Sequence, residues 1–146
     1  MAVTLREVTR DTLGAVLKLQ VAAHQGGFVA TNARSIAQAH FWPGVAWFRA
    51  IYADELPIGF VMLAFEDGEP PYVWRFMIDA AHQGRGLGRG AMAALLEAIR
   101  ARCPDATQVR LSHVPGEGDP GPFYEKVGFA YTGEVHEGER VMSLVL

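Results

Sequence analysis

The segment 83–90 carries glycine at every second position, directly before a stretch with helical periodicity. The four glycines are Gly84, Gly86, Gly88 and Gly90. Backbone N–H groups at the start of a helix have no partners within it and lie at the positive end of the helix dipole. With few side chains in the way, a ligand can approach these donors closely, and Arg85 and Arg89 add positive charge there. The pattern predicts an anion site, most naturally for a phosphate or pyrophosphate group.

Three alternative interpretations of these glycines are weaker. A P-loop needs Gly-Lys-Ser/Thr, whereas the chain has Gly90-Ala91-Met92. A Rossmann dinucleotide fingerprint fits Gly86-x-Gly88-x-x-Ala91, but that fold needs repeated βαβ units, and three hairpin-like strands precede the motif. The third alternative is a loop that uses glycine only to turn, which would cost helix stability and gain nothing.

Composition limits the class of protein. A chain of 146 residues is enough for a single domain, 1–146, and 50% hydrophobic residues predict a substantial core. The net charge of −3 argues against non-specific nucleic-acid binding, which depends on lysine and arginine. The apolar run 56–65 is too short to span a membrane, and the first residues lack the apolar region of a secretory signal. We expect a cytoplasmic protein without nucleic-acid or membrane partners.

Metal and disulfide chemistry are not indicated by the pattern. Cys103 is the only cysteine, so the chain cannot form an internal disulfide or a thiolate cluster. Four histidines show no metal-ligand spacing: His24, His40, His82 and His136. We therefore predict no metal.

The elements that must position the glycine segment follow the order β-α-α-β-β-β-α-β-α-β-β. Alternating patterns predict strands over 2–9, 45–53, 56–66, 71–79 and 108–114, and a closing hairpin around His136-Glu137-Gly138. Helical spacing predicts helices over about 10–22, from Thr31 to about His40 and from the glycine segment to Cys103, and a short helix within 122–129 that Gly128 closes. This order predicts an α/β protein, a mixed sheet with helices on its faces.

Two segments carry a family resemblance. Gln83-Gly84-Arg85-Gly86-Leu87-Gly88 and Phe123-Tyr124-Glu125-Lys126-Val127-Gly128-Phe129 resemble the Q/R-x-x-G-x-G/A and F-Y-x-K-x-G-F motifs of the GNAT superfamily of acetyl-CoA-dependent N-acetyltransferases. The element order agrees, so the resemblance covers nearly the whole chain. It implies a mostly antiparallel sheet whose parallel central pair splays apart at the acetyl-CoA site. Together with WRFMID and LSHVPGEG, these segments are similar to the bacterial spermine/spermidine N-acetyltransferase branch.

The resemblance also implies roles for individual residues. A backbone N–H on the strand Phe76-Met77-Ile78 would stabilise the oxyanion formed when an amine attacks the thioester. The segment that would wrap the CoA pyrophosphate comprises Gln83, Gly84, Arg85, Gly86, Leu87, Gly88 and Arg89. Tyr124 matches the general acid that protonates the departing CoA thiolate. The alternative for Tyr124 is a half-buried core tyrosine.

The acceptor amine must lose its ammonium proton, since an alkylamine has a pKa near that of lysine, about 10. Residues that could take this proton or bind the acceptor lie on predicted loops and strand ends: Glu66, Glu69, His113, Glu117 and Asp119. None of them stands out by pattern, and each alone also fits an exposed surface position. Glu117 stands where many family members carry an asparagine that contacts CoA, which leaves an acidic loop suited to a cationic acceptor.

The predicted function is acetyl transfer from acetyl-CoA to a primary amine, with a diamine or polyamine as the favoured substrate. Two alternatives within the family stay open: acetylation of peptide or protein amines, and a CoA-binding sensor without catalysis. Outside it, a nicotinamide-binding domain is the runner-up. The predicted partner is a small-molecule amine, and exposed strands at the C-terminus favour a homodimer.

Overall fold

Seven strands and four α-helices make up the fold in the computed structural model, which describes residues 1–146. The strands are β1 (Val3–Arg6), β2 (Ala46–Ala53), β3 (Leu56–Ala64), β4 (Tyr72–Ile78), β5 (Gln108–His113), β6 (Ala130–His136) and β7 (Glu139–Val145). The helices are α1 (Leu13–Leu17), α2 (Asn32–His40), α3 (Leu87–Arg102) and α4 (Gly121–Val127). Single 3₁₀ turns, Ala23–Gln25 and Ala80–His82, precede α2 and α3. The predicted order of elements is confirmed.

The strands form one sheet in the order β1-β2-β3-β4-β5-β7-β6, in which β4 and β5 are the parallel pair and all other neighbours are antiparallel. β4 and β5 pair only through Tyr72 with Arg110 and Val73 with Leu111. Beyond Val73 the two strands diverge, since β4 continues to Ile78 without a partner on that side. The predicted splayed pair is confirmed, and the opening between the strands is where a ligand can enter the sheet.

Hydrophobic residues pack on both faces of the sheet. One face, here called the α3 face, is covered by α3 and α4, and α3 buries Leu87, Met92, Leu95 and Ile99 at helical spacing. The other, the α2 face, is covered by α1 and α2. Because successive side chains of a strand point to opposite faces, each central strand supplies both layers.

The first helix is shorter than the predicted 10–22. It ends at Leu17 because the chain that follows is held by the turn after β4. The Gln20 N–H donates to Asp79 Oδ1 at 2.9 Å, and the Gln20 carbonyl accepts from the Ala80 N–H at 2.8 Å. β1 likewise pairs with β2 only over Val3–Arg6 instead of 2–9. The end of α1 is set by long-range hydrogen bonds, which no local pattern reports.

The final hairpin inserts β7 between β5 and β6, so that β6 becomes an edge of the sheet. Most of β6 is exposed, and Val135 exposes 63% of its surface. Pairing of this edge with a second copy stays a prediction. No helix of the chain combines the length and apolar character needed to cross a membrane.

Candidate active site

A cleft of about 840 Å³ occupies the opening between β4 and β5. One wall is β4 itself, and another is the segment between α1 and α2. The glycine segment closes one end, while the end of β5, the loop after it and α4 line the remaining side. The cleft therefore meets each motif that the sequence singled out.

The four glycines of the segment have two different physical reasons. Gly84 and Gly86 both have φ of +76°, which favours glycine, and a Cβ at either would meet nothing within 4 Å. Gly88 and Gly90 instead allow close packing, because a Cβ would come within 3.3 Å of the Phe123 ring or 3.1 Å of Val3. The first pair shapes the open turn, and the second seats the start of α3 against the rest of the fold.

Backbone donors remain free along this turn. No backbone N–H between Gly84 and Arg89 donates to an acceptor of the chain, and the next one, that of Gly90, donates to the Gly86 carbonyl at 3.3 Å. Arg89 lines the cleft, as does Lys126 of α4, a cation that the sequence analysis did not select. Free N–H groups, a helix start and two cations together suit a pyrophosphate.

Three residues of the predicted pyrophosphate segment use their side chains for contacts within the protein. Gln83 donates through Nε2 to the Ile78 carbonyl at 2.9 Å and to Gln25 Oε1 at 2.8 Å, which ties the glycine segment to β4 and to the loop before α2. The Leu87 side chain is buried in the core of the α3 face, so this residue can offer a ligand only its backbone. The exposed Arg85 donates to the Ala81 carbonyl at 3.1 Å and does not line the cleft.

The edge of β4 presents backbone donors to the opening. The Asp79 N–H, directly after β4, donates to the Ile58 carbonyl at 2.7 Å and so points toward β3. Since alternate N–H groups of a strand point the same way, that of Met77 also faces β3, and those of Phe76 and Ile78 face the cleft. The Ile78 carbonyl, which accepts from Gln83 on the cleft side, agrees with this alternation.

A β-bulge in β4 helps to separate the two strands. Met62 of β3 pairs with Arg75 and Leu63 pairs with Val73, which leaves Trp74 as the extra residue. A bulge bends its strand and increases the local twist. Trp74 packs on the α2 face, and Arg75 donates to Gln38 Oε1 of α2 at 2.8 Å. The strand therefore bends where its pairing with β5 stops.

Tyr124 lies in α4 on the α3 face and lines the cleft. Its ring contacts those of Phe123 and Phe129, with centroids 5.5 and 5.7 Å away, and only 7% of the residue is exposed. Its hydroxyl has no hydrogen-bond partner in the chain. Burial, with a smaller contribution from Tyr72, raises the pKa of Tyr124, so the phenol keeps its proton at neutral pH. The residue is both a core tyrosine and an available proton donor.

Among the predicted proton acceptors, two reach the cleft but already have partners. His113 is 3% exposed, and its ring nitrogens lie 3.0 Å from the Val114 carbonyl and 2.9 Å from the Tyr131 hydroxyl. The Asp119 carboxylate accepts from the N–H groups of Gly116 at 2.9 Å and Gly121 at 2.8 Å. Burial raises the pKa of Asp119, but these hydrogen bonds, with His113 and Arg140, outweigh it and lower that pKa below its ordinary value.

The other three predicted acceptors lie outside the cleft. Glu117 is exposed on the loop after β5, beside the cleft-lining Gly118. Glu66 and Glu69 are exposed at a neighbouring cavity of about 420 Å³, which shares Trp74 and Ser112 with the cleft. The carboxylate that sequence reasoning missed is Glu139, at the start of β7, which is partly buried and lines the cleft. Its position after a turn glycine offered no local signal.

The splayed parallel pair, the free donors on both sides of it and the tyrosine of α4 define an acetyltransferase fold and site. A family model for the acetyltransferase (GNAT) domain matches residues 37–131, and the chain belongs to this family of N-acetyltransferases. This family uses acetyl-CoA as its cosubstrate, as the sequence motifs predicted.

Individual proteins of known name or structure are similar to this chain. The spermine/spermidine N(1)-acetyltransferase of Bacillus subtilis strain 168 is 29% identical over 153 aligned positions, which cover 97% of both chains. The coenzyme A complex of the PaiA N-acetyltransferase of Thermoplasma acidophilum shares the fold at a TM-score of 0.74 and 13% identity, with full coverage of both chains. The aminoglycoside acetyltransferase AAC(6')-Ib does so at 0.78 and 20% identity, covering 99% of this chain and 94% of that one.

The residues of the cleft suit a CoA thioester, and they do not form a set of metal ligands. Free N–H groups on the glycine segment suit its pyrophosphate, and that of either Phe76 or Ile78 suits its carbonyl oxygen. No group of three or more histidine, cysteine, aspartate or glutamate side chains is placed to hold a metal ion.

The two arginines of the glycine segment should differ in their effect on acetyl-CoA binding. Arg89→Gln should raise the Kd about three- to tenfold at low salt, because it removes a cleft-lining charge beside the N–H groups predicted to bind the phosphates. Arg85→Gln should leave the Kd within about twofold. Calorimetric titration at low and high salt tests this, and the difference should shrink as salt screens the charge. Equal losses in both variants would contradict the assignment.

Proposed function

We propose that this enzyme transfers the acetyl group of acetyl-CoA to a small primary amine bound between β4 and β5. The observation that carries the proposal is that one cleft holds two sets of free backbone donors. One set lies on the glycine segment, and the other comprises the cleft-facing N–H groups of Phe76 and Ile78. The first group would hold the pyrophosphate, and one N–H of the second would meet the thioester oxygen.

The chemistry follows from these positions. Attack of the amine on the thioester carbon puts negative charge on the carbonyl oxygen, which a preorganised N–H stabilises by about 3 kcal/mol. As the C–S bond breaks, the departing thiolate takes a proton from the Tyr124 hydroxyl. The amine attacks as the free base, after its ammonium form has lost one proton. A further N–H proton leaves as the amide forms and restores the tyrosine. Both ends of the reaction are thus served by groups of this chain.

A diamine or polyamine is the acceptor class that we propose first. Two curated Bacillus subtilis relatives named for spermine acetylation, each 29% identical to this chain, support it. The acidic cavity of Glu66 and Glu69 adjoins the cleft, so a long cationic acceptor could extend toward these carboxylates. We also propose a cytoplasmic setting and a homodimer.

A second acceptor class is an amine that also carries a carboxylate, such as an amino acid or an acidic peptide. Arg34 and Arg75 line the cleft, and neither pairs with a carboxylate of the chain. The Nε of Arg75 is buried without a hydrogen-bond partner, and burial, together with the charge of Arg34, lowers the pKa of Arg75. An anionic group on the acceptor would give the Arg75 Nε a hydrogen-bond partner and would stabilise the charged form of the guanidinium.

Ligand binding and turnover test the proposal in sequence. Acetyl-CoA at about 100 times its Kd should add roughly 2.7 kcal/mol to the free energy of unfolding, whereas NAD should add nothing measurable. Turnover is then compared across polyamines, amino acids, acidic peptides and amines with an uncharged tail. Polyamine turnover should exceed that of amines with an uncharged tail and fall as salt increases. Stabilisation by NAD alone would end the acetyltransferase proposal, and preference for amines with an uncharged tail would end the polyamine part.

A further inference from the structure

The side chain of Glu139 is linked to β5 and β4 by a chain of hydrogen bonds, at the end of the cleft where these two strands are paired. Its Oε1 accepts from the Ser112 hydroxyl of β5 at 3.1 Å, and Ser112 in turn bonds to the Tyr72 hydroxyl of β4. Because the serine proton is used on Glu139, Tyr72 is the donor in the second bond. Glu139 Oε2 has no hydrogen-bond partner in the chain and is left for a ligand.

Glu139 and Tyr124 lie on opposite faces of the sheet, yet both line the cleft. Leu111 packs on the α3 face, so its neighbour Ser112, which bonds to Glu139, points to the α2 face. Tyr124 belongs to the α3 face. A thioester seated in the opening would therefore have the carboxylate on one side and the phenol on the other.

Resting on the function proposed above, we propose that Glu139 binds the ammonium group of the acceptor and takes its proton. Oε2 accepts one proton from the ammonium, and the freed lone pair forms the C–N bond to the thioester carbon. The C–S bond then breaks and the thiolate takes its proton from Tyr124. The second proton of the amine nitrogen leaves as the amide forms and restores Tyr124, and the carboxylic acid left at Glu139 returns its proton to water.

Charged groups of β4 and α2 surround Glu139. Tyr72 and Arg75 of β4 both interact electrostatically with Glu139, and Arg34 of α2 lies near Arg75. A guanidinium nearby disfavours positive charge on the acceptor nitrogen and so favours release of its proton, but it also attracts the negative charge of Glu139, so its two effects on the transfer oppose each other. The neighbouring cations of the sheet are engaged elsewhere, since Arg140 lies over the Tyr131 ring and Arg110 pairs with Glu134.

Glu139→Gln tests the proposal because it keeps the side-chain shape and an oxygen for Ser112 while it removes the charge. The single-turnover rate near neutral pH should fall about 10²–10⁴-fold, while the Kd of acetyl-CoA stays unchanged. The loss should narrow as pH approaches the amine pKa of about 10, where free amine needs no base. The matched control is Glu137→Gln, two residues away and exposed in the hairpin turn, which should behave as wild type.

A binding measurement separates this inference from the function on which it rests. Calorimetric titration of each panel amine into the CoA complex should show at least about tenfold weaker binding in Glu139→Gln, because an ion pair is lost. If Glu139→Gln binds amines more weakly but the wild-type protein acetylates none of them, the acceptor site is supported and the proposed function is not. Unchanged amine affinity and rate, or a rate loss equal at every pH, would overturn the role of Glu139.

Discussion

Tyr124→Phe should lower the single-turnover rate of acetyl transfer about 10²–10⁴-fold, the usual size of a positioned general acid. The substitution keeps the ring, and therefore the contacts with Phe123 and Phe129, and removes only the hydroxyl and its transferable proton. The hydroxyl makes no hydrogen bond within the chain, so its loss breaks none. The Kd of acetyl-CoA and the Tm should therefore stay close to those of wild type. Single-turnover rates are the proper measurement, because slow product release would hide the effect in steady state.

Tyr131→Phe is the matched control and should give the opposite pattern. The Tyr131 hydroxyl bonds to the buried His113 at 2.9 Å, so its removal should cost about 1 kcal/mol of stability. The rate of acetyl transfer should not change, because this hydroxyl already has a partner. A Tyr124→Phe rate within about twofold of wild type would show that water or another residue protonates the thiolate. A loss of stability without a loss of rate would mean that Tyr124 serves only as a core residue.

Gly86→Val should raise the Kd of acetyl-CoA at least about tenfold. A residue with a Cβ at φ of +76° costs about 1–2 kcal/mol, and a β-branched side chain costs more. The turn would relax toward negative φ and carry its N–H groups away from the pyrophosphate. Since about 1.4 kcal/mol corresponds to a tenfold change, distortion of this turn alone accounts for the expected loss. Calorimetric titration with acetyl-CoA measures it directly.

The control for Gly86→Val is the same residue type placed where α3 is exposed. Glu97→Val lies on the solvent side of that helix and should change the Kd by no more than about twofold. Thermal unfolding of both variants without ligand shows whether each still folds cooperatively. A folded Gly86→Val protein with wild-type affinity would mean that the pyrophosphate does not use this turn.

The sequence by itself determined the parts of the site that are local in the chain. The glycine segment, the helix that follows it and the F-Y-x-K-x-G-F passage are each contiguous, so periodicity and turn chemistry predict them. The element order follows in the same way and predicted the splayed parallel pair through the family resemblance. Helix α2 begins where the sequence indicated, because the Thr31 hydroxyl accepts from the Arg34 N–H at 3.2 Å.

Only the tertiary structure decided which charged groups face the cleft. Glu139 reaches it because β7 inserts between β5 and β6, a pairing set by strand register. Glu66 and Glu69, equally acidic in sequence, end at a neighbouring cavity. The two arginines of the glycine segment separate for the same reason, since Arg89 lines the cleft while Arg85 turns back to Ala81. The direction of a side chain depends on the strands and helices packed beside it, and those contacts join residues far apart in the chain.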